Sequence, residues 1–321
     1  MYKLTVVVAI YNVGDYLDRC LDSLSKQNSD DYVVYCVNDG STDNSKDICL
    51  KYVDNKKFFL LDKENGGASS TRNYGLSKCT SKYISFVDGD DYVSYDYVKT
   101  IIEHMEANDD DMLVFAYNHH YLTDDSVSPI AFDFDEGIYN LKDKKELLAY
   151  TLNAPWNKGY KTSLFKDNKI EYPLGYRHQD LGTTPKLLLK ANRIEYLNKN
   201  LYTYVVDRPN NVTGVIDKNI NHIVVMCDEI VKYYINEGVF KEFEDELNYL
   251  VKRNLILFLR KAMRMNDKKF VYNFIDEVFA FENKYFDKAC KYQIAEEKGD
   301  TVYLDKLKCK LYYFLKHIGR A

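Results

Sequence analysis

The chain has 321 residues, 46% hydrophobic and 29% charged, ordinary values for a globular protein that can bury a full core as one large α/β domain with an appendage. A formal net charge of −5 supplies no whole-chain basic field for nucleic acid, and no stretch approaches the roughly 18 to 20 apolar residues of a membrane span. Seven cysteines, scattered from Cys20 to Cys309 with no C-x-x-C pair, argue against zinc and for reduced core thiols in a cytosolic protein.

Leu4 to Ile10 is a continuous run rich in β-branched residues. Little positive charge precedes it and it breaks at Tyr11-Asn12-Val13-Gly14, so it reads as a strand buried on both faces and not as a signal peptide. Leu17, Cys20, Leu21 and Leu24 then fall at helical spacing. A second strand, Tyr32 to Val37, ends in the turn Asn38-Asp39-Gly40-Ser41, and Ile48, Cys49 and Tyr52 mark another helix. Phe58 to Leu61 is a third strand. A helix from Ser69 to Cys79 follows Gly66-Gly67, and Tyr83 to Val87 is a fourth strand that closes on Asp88-Gly89-Asp90-Asp91. A helix near Tyr95 to Ala107 and a strand at Met112 to Asn118 continue the alternation.

Strand and helix in this rhythm predict a mostly parallel sheet with helices on both faces, whose ligands sit beyond the carboxyl ends of the strands. Those ends carry Tyr11-Asn12, Asp39 and the Asp88 cluster, so polar groups from three strands converge on one edge. Ser126 to Gly137 reads as a loop or hairpin, Leu141 to Leu152 as a helix, and Pro155 to Arg208 as short mixed elements. Beyond Asp217 the pattern is all helical, with stripes Ile223, Met226, Ile230, Tyr234, then Leu247, Leu250, Val251, then Val271, Phe274, Ile275, Val278. The expected division is an α/β domain over residues 1–215 and a helical domain over 216–321.

Asp88, Asp90 and Asp91 place three carboxylates within four residues, and they repel one another unless a cation sits between them. Mg²⁺ and Mn²⁺ take one or two such carboxylates and complete their shell with phosphate and water. The plainer alternative is a solvated acidic turn. Asp39 could accept hydrogen bonds from a ribose or a base, although Asp-Gly-Ser is also common turn chemistry. Asn65-Gly66-Gly67 feeds a helix whose free N–H groups suit an anion, with Arg72 one turn inside. A capped surface helix is the alternative there.

Tyr11-Asn12, Asn38-Asp39-Gly40-Ser41-Thr42-Asp43, Asn65-Gly66-Gly67 with Arg72-Asn73, and Phe86-Val87-Asp88-Gly89-Asp90-Asp91 occur in that order. The series resembles the family 2 glycosyltransferases of GT-A fold, particularly bacterial enzymes of capsule, exopolysaccharide and teichoic acid assembly. The likeness continues through Ala154-Pro155-Trp156-Asn157-Lys158-Gly159-Tyr160, Gln179-Asp180 and Tyr202-Thr203-Tyr204, about two thirds of the chain.

The resemblance implies a GT-A (Rossmann-like) α/β fold, a mixed, mostly parallel sheet flanked by helices with a C-terminal helical appendage. It implies an inverting, metal-dependent transferase that moves a hexose or N-acetylhexosamine from a UDP-sugar donor to a saccharide, lipid-linked or protein-linked glycan acceptor. Tyr11, Asn12 and Asp39 would line the nucleoside pocket, and Arg72, Asn73 and Asp88 would complete donor binding. Asp90 would hold Mn²⁺ or Mg²⁺, and Asp180 would be the general base. Trp156, Asn157 and Gln179 would lie on the acceptor side.

Two departures stand out. Ile10 follows Ala9 where the family often has Pro before Tyr-Asn, and Gln179-Asp180 replaces the family's Glu-Asp, so the base has lost a charged neighbour. His178 before it could hydrogen-bond phosphate or acceptor, or simply face solvent, and the solvent reading is the favoured one. Leu304, Leu307, Leu311, Phe314 and Leu315, with five Lys or Arg against Asp305, form a basic amphipathic helix that suits an anionic membrane, a partner subunit or the helical domain. The implied location is cytoplasmic, on the inner membrane face if that helix meets lipid, and a homo-oligomer is compatible with the same stripe. A nucleotidyltransferase would also use Asp-x-Asp, but Tyr11-Asn12-Val13-Gly14 lacks its Gly- and Lys-rich loop. A non-catalytic binding or scaffold subunit is the other alternative, and Gln179 is its best support.

Overall fold

A computed structural model describes residues 2–130, 134–208 and 217–286. Contacts divide the chain into two compact units. The first comprises Met1–Lys144, Asn153–Gly175 and Leu187–Asn211, and the second comprises Lys145–Leu152, Tyr176–Lys186 and Val212–Ala321. The basic stripe at 304–320, and with it Cys290 and Cys309, lies outside the described residues.

Chain order begins β1 (Leu4–Ile10), α1 (Gly14–Ser25), β2 (Tyr32–Asp39), α2 (Ser45–Tyr52), β3 (Phe58–Lys63), α3 (Gly67–Lys78) and β4 (Tyr83–Asp88). It continues β5 (Tyr92–Val93), α4 (Tyr97–Ala107), β6 (Met112–Tyr121), β7 (Ser126–Ile130), β8 (Gly137–Tyr139), α5 (Glu146–Tyr150), β9 (Lys158–Lys161) and α6 (Thr162–Lys166). Last come α7 (Thr184–Lys190), β10 (Ile194–Val206), α8 (His222–Asn236), α9 (Glu244–Ala262) and α10 (Lys268–Tyr285).

In the first unit the strands form one sheet in the order β3-β2-β1-β4-β9-β6-β10-β5, with β7 added on β6 and β8 on β10. Pairing is parallel from β3 to β4 and again between β6 and β10, and antiparallel where β9 joins β4 to β6. The sheet is therefore mixed and mostly parallel, with helices flanking it. β1 is central because its run is apolar on both faces. Leu4, Val6, Val7 and Val8 are wholly buried, each contributing about 1.5–3 kcal/mol relative to exposure. Gly75 lets α3 lie close against β1, since a Cβ there would come within 2.4 Å of Val7 Cγ1. That close approach sets Arg72, one turn earlier, over the end of the neighbouring β4.

The segment read as a loop or hairpin supplies β7, paired antiparallel with β6 around the left-handed Asp125 (φ 57°). The helix expected over Leu141 to Leu152 shortens to α5. Asn140 Oδ1 accepts the N–H groups of Lys142 and Asp143, both at 2.9 Å, and this side-chain turn competes with helical hydrogen bonding before Glu146. In the second unit all three apolar stripes are buried. Tyr150 of α5 meets Tyr249 of α9 at 5.1 Å between ring centroids, and the buried Tyr234 donates to the Pro185 carbonyl at 2.9 Å. Among the described residues, no helix is long and apolar enough to cross a membrane.

Candidate active site

The carboxyl ends of β1, β2 and β4 are stitched together by their own loops. Asn12 adopts φ 51° just after β1; its N–H donates to Ser41 Oγ at 3.1 Å and its Oδ1 accepts the Thr42 N–H at 2.8 Å. Tyr11 beside it is half exposed.

Asp39, closing β2, is buried, and its carboxylate is held at the start of α3. Oδ1 accepts the Gly66 N–H at 2.9 Å and pairs with Lys63, and Oδ2 accepts the Gly67 N–H at 2.7 Å. The positive φ of Gly67 (83°) aims two successive N–H groups at one carboxylate, the anion geometry of a helix start. Asn65 Nδ2 adds a bond to the Asp39 carbonyl at 3.0 Å.

The acidic turn after β4 does not gather around one point; its three carboxylates go three ways. Asp88 Oδ1 accepts from Arg72 Nη2 at 2.6 Å, and the Arg72 guanidinium lies 5.7 Å from the Tyr172 ring centroid. Asp90 is buried and its Oδ2 pairs with Arg208 Nη2 at 2.5 Å. Burial first and the Asp88 charge second push Asp90 up to about 6, against the pull of Arg208 and Arg72. Asp91 is wholly enclosed; it accepts Tyr202 Oη–H on Oδ2 at 2.6 Å and the Val205 N–H on Oδ1 at 2.8 Å, fastening the turn to β10. Tyr202 Oη also accepts the Asp88 N–H at 3.2 Å. The mutual repulsion that motivated a cation among these carboxylates is thus met by two guanidinium groups and a buried clasp. Among the described residues, no group of three or more His, Cys, Asp or Glu is arranged to hold a metal ion.

Three asparagines of the motifs differ in what they do. Asn12 ties two loops. Asn73 brackets the Tyr172 backbone, donating to its carbonyl at 2.8 Å and accepting its N–H at 2.9 Å. Asn157, buried, donates to the Phe115 carbonyl at 3.3 Å and accepts from Lys158 Nζ at 2.6 Å. Trp156 stacks on Tyr202 at 4.7 Å and 14°, with Tyr117 edge-on at 4.8 Å.

Gln179 and Asp180 belong to the second unit. The Asp180 carbonyl accepts the N–H groups of Thr183 (3.1 Å) and Thr184 (2.9 Å), which fixes the residue at the entry to α7, and the Gln179 carbonyl accepts Thr183 Oγ1–H at 2.8 Å. His178 corrects the solvent-facing expectation. Its ring packs 4.2 Å from that of Phe258, and burial, with Lys261, Arg177 and His222 nearby, lowers its pKa to about 4.

Sequence reasoning missed Arg208, Lys63 and the Tyr202 clasp. Lys63 was signalled by its position at the end of a strand and Tyr202 by its place in the Tyr202-Thr203-Tyr204 segment, but their partners were not, since Arg208 and Tyr202 reach the turn from more than a hundred residues away.

A mixed, mostly parallel sheet flanked by helices, with a helix-start carboxylate clasp and an acidic turn at its strand ends, is the GT-A fold. The chain belongs to glycosyl transferase family 2, whose sequence profile matches residues 5–168. It is similar to glycosyltransferase GlyA of Streptococcus pneumoniae, 31% identical over 246 residues, which is 74% of this chain but 35% of that one. Its fold matches the crystal structure of Staphylococcus aureus TarS 1–349 in complex with UDP-GlcNAc, with a TM-score of 0.72 at 20% identity over 99% of this chain and 92% of that one. The more distant mannosyltransferase PcManGT of Pyrobaculum calidifontis, in complex with GDP-Man and Mn²⁺, matches with a TM-score of 0.52 at 12% identity, covering 99% and 86%.

Proposed function

We propose that the chain transfers a sugar from a UDP-sugar to an acceptor hydroxyl with inversion, in the synthesis of a cell-surface polysaccharide or glycoconjugate on the cytoplasmic side of the membrane. The observation that carries this reading is the acidic turn at the end of β4, where Asp88 and Asp90 each face a guanidinium, Arg72 and Arg208. Two carboxylates, each paired with a guanidinium, suit a diphosphate, because the arginines would pair with its oxygens and Asp88 and Asp90 would hold a divalent ion.

Mn²⁺ or Mg²⁺ fits this donor set. Asp88 and Asp90 offer the one or two carboxylates such an ion takes from a protein, and Arg208 stands in for a cation on Asp90. When bound, the ion would neutralise charge on the departing diphosphate. Tyr11, Asn12 and the Asp39 region bind and orient the nucleoside, and Arg72 and Arg208 hold phosphate oxygens. Asn73 positions Tyr172 beside Arg72. Asp180 takes the proton from the acceptor hydroxyl as it attacks the anomeric carbon, and Trp156 and Gln179 face the acceptor, with Asn157 holding that segment in place. The complex of TarS with UDP-GlcNAc supports the donor assignment.

A panel of nucleotide sugars tested for thermal stabilisation with and without Mn²⁺, followed by hydrolysis of the best binder, tests the proposal. UDP-sugars should raise the melting temperature most, and more with Mn²⁺. No stabilisation by any uridine nucleotide would remove the donor assignment. Binding without any turnover would favour the scaffold subunit that Gln179 suggests.

A further inference from the structure

Residues 176–183 lie outside any helix or strand, yet both ends of the stretch are tied down within the second unit. Downstream, the turn into α7 closes on itself. The carbonyls of His178 and Gln179 accept from the Gly182 N–H at 3.4 Å and from Thr183 Oγ1–H at 2.8 Å. With the two bonds to the Asp180 carbonyl, they hold the turn against the buried Thr183 and Thr184. Upstream, the anchor is Arg177. Its guanidinium meets Asp217 at two points, Nη1 to Oδ1 at 2.9 Å and Nη2 to Oδ2 at 2.8 Å, and its backbone N–H donates to His222 Nδ1 at 3.2 Å. Both partners are themselves fixed. Asp217 Oδ1 also accepts the Asn219 N–H at 2.9 Å, capping the helical turn Lys218–Asn221 that leads into α8, and the Tyr176 ring stands edge-on to His222 at 5.2 Å. Burial first and the Arg177 charge second hold His222 below its ordinary pKa, against the pull of Asp217, so near neutral pH its ring is uncharged and able to accept this bond.

Between the two anchors His178 holds φ at 62°, a left-handed conformation that a residue with a Cβ seldom adopts. Such backbone persists only where its surroundings over-determine it. Here they are the Arg177 anchor before it, the Phe258 ring 4.2 Å from the imidazole, and the closed turn after it. Stability is a poor reason for the fork. The side chains of Arg177 and Asp217 are 28% and 38% exposed, and an ion pair so open to water adds little to folding. What a bidentate pair adds is orientation, since a planar fork on a carboxylate fixes direction as well as distance.

We propose that Arg177 is a positioning residue for the general base: by fixing where the left-handed turn starts, its fork on Asp217 sets the direction in which the backbone presents Asp180. The inference rests on the reading above in which Asp180 takes the acceptor's proton, and it deepens that reading without adding a group that touches substrate.

Full-length Arg177→Gln, Arg177→Lys, Asp217→Asn, the double variant Arg177→Gln/Asp217→Asn and Asp180→Asn are compared with wild type. Lys keeps the charge and gives up the fork, and Asn at 217 can still cap the following turn. Hydrogen–deuterium exchange is read at the Thr183 and Thr184 amides with α10 as internal reference, and hydrolysis of UDP-N-acetylglucosamine, UDP-glucose and UDP-galactose is followed with Mn²⁺. All three single variants of the pair should melt close to wild type and exchange about tenfold faster at those two amides but not in α10, the size of one lost hydrogen bond. Their kcat should fall by about tenfold to a hundredfold at unchanged KM, the scale of a displacement of about 1 Å at a reacting group. The double variant should lose no more than either Arg177→Gln or Asp217→Asn, because the two residues act through one contact. The role is overturned if the two amides exchange at the wild-type rate, if α10 speeds up by the same factor, if kcat holds while exchange rises, if KM moves and kcat does not, if Lys serves as well as Arg, or if the losses multiply in the double variant. Hydrolysis by wild type that persists in Asp180→Asn removes the base and not the clamp; with or without turnover, the clamp stands or falls on the exchange pattern.

Discussion

Asp110→Asn should flatten part of the pH dependence of stability. Asp110, just before β6, is completely buried, and neither carboxylate oxygen accepts a hydrogen bond from a described donor. Its nearest cation is Arg193 Nε at 3.4 Å, while Glu195, held by His104 Nδ1 at 2.8 Å and Asn108 Nδ2 at 3.4 Å, shares the enclosure. Burial first and the Glu195 carboxylate second push Asp110 from 3.8 up to about 7, against the pull of Arg193. A raised carboxyl pKa means that between about pH 4 and 7 the folded chain keeps a proton that the unfolded chain has released. Stability from this group therefore falls as pH rises through that window and stays lost above it. From pH 5 to 8 the change is about two units of the window at ~1.4 kcal/mol each, a ceiling of about 3 kcal/mol. Asn keeps the shape, donates to Glu195 as the protonated acid would, and does not titrate. Urea denaturation followed by circular dichroism at pH 5, 6, 7 and 8 measures the difference between the two proteins, valid where the slope m is common to both. The variant should gain on wild type steadily up to pH 7. A difference that is constant with pH, or that shrinks as pH rises, refutes the proton held at Asp110.

Three further outcomes follow from the candidate site and its neighbours. Asp180→Asn should bind UDP normally by calorimetry and lose at least about a hundredfold in transfer rate; near-normal turnover would take Asp180 out of the mechanism. Arg208→Ala removes the guanidinium 2.5 Å from Asp90, so Mn²⁺ without nucleotide should raise its melting temperature more than that of wild type, and equal shifts would deny the stand-in role. His178, with a folded pKa of about 4 against 6.5 unfolded, stays neutral where the unfolded chain is protonated, so its contribution is complete above pH 6.5 and declines as pH falls. Wild type should therefore lose about 1–2 kcal/mol more than His178→Gln between pH 7 and 5, and a loss of opposite sign would show that the ring is not enclosed in the folded chain.

The parts of the fold legible in the sequence are those set by local periodicity. β1 announces itself through a run that must be covered on both faces, and the three apolar stripes of α8 to α10 are buried as their spacing requires. What was not legible is how long-range pairing divides a local cluster. Read along the chain, Asp88, Asp90 and Asp91 are one patch of negative charge. In the fold, parallel pairing of β10 with β6 and its short antiparallel bridge to β5 bring Tyr202, Val205 and Arg208 to that patch, and each carboxylate acquires a separate task. Asn73 and Asn157 carry the same lesson in reverse. Both stand inside site motifs, yet both side chains satisfy buried backbone groups, an accounting that a motif cannot reveal because the partner at Tyr172 or Phe115 is fixed only when distant segments meet. A motif of this kind therefore marks where a site is built. Which of its residues hold the others in place is decided by the partners the fold delivers, and at the acidic turn those partners lock Asp91 to β10 and leave Asp88 and Asp90 each paired with an arginine.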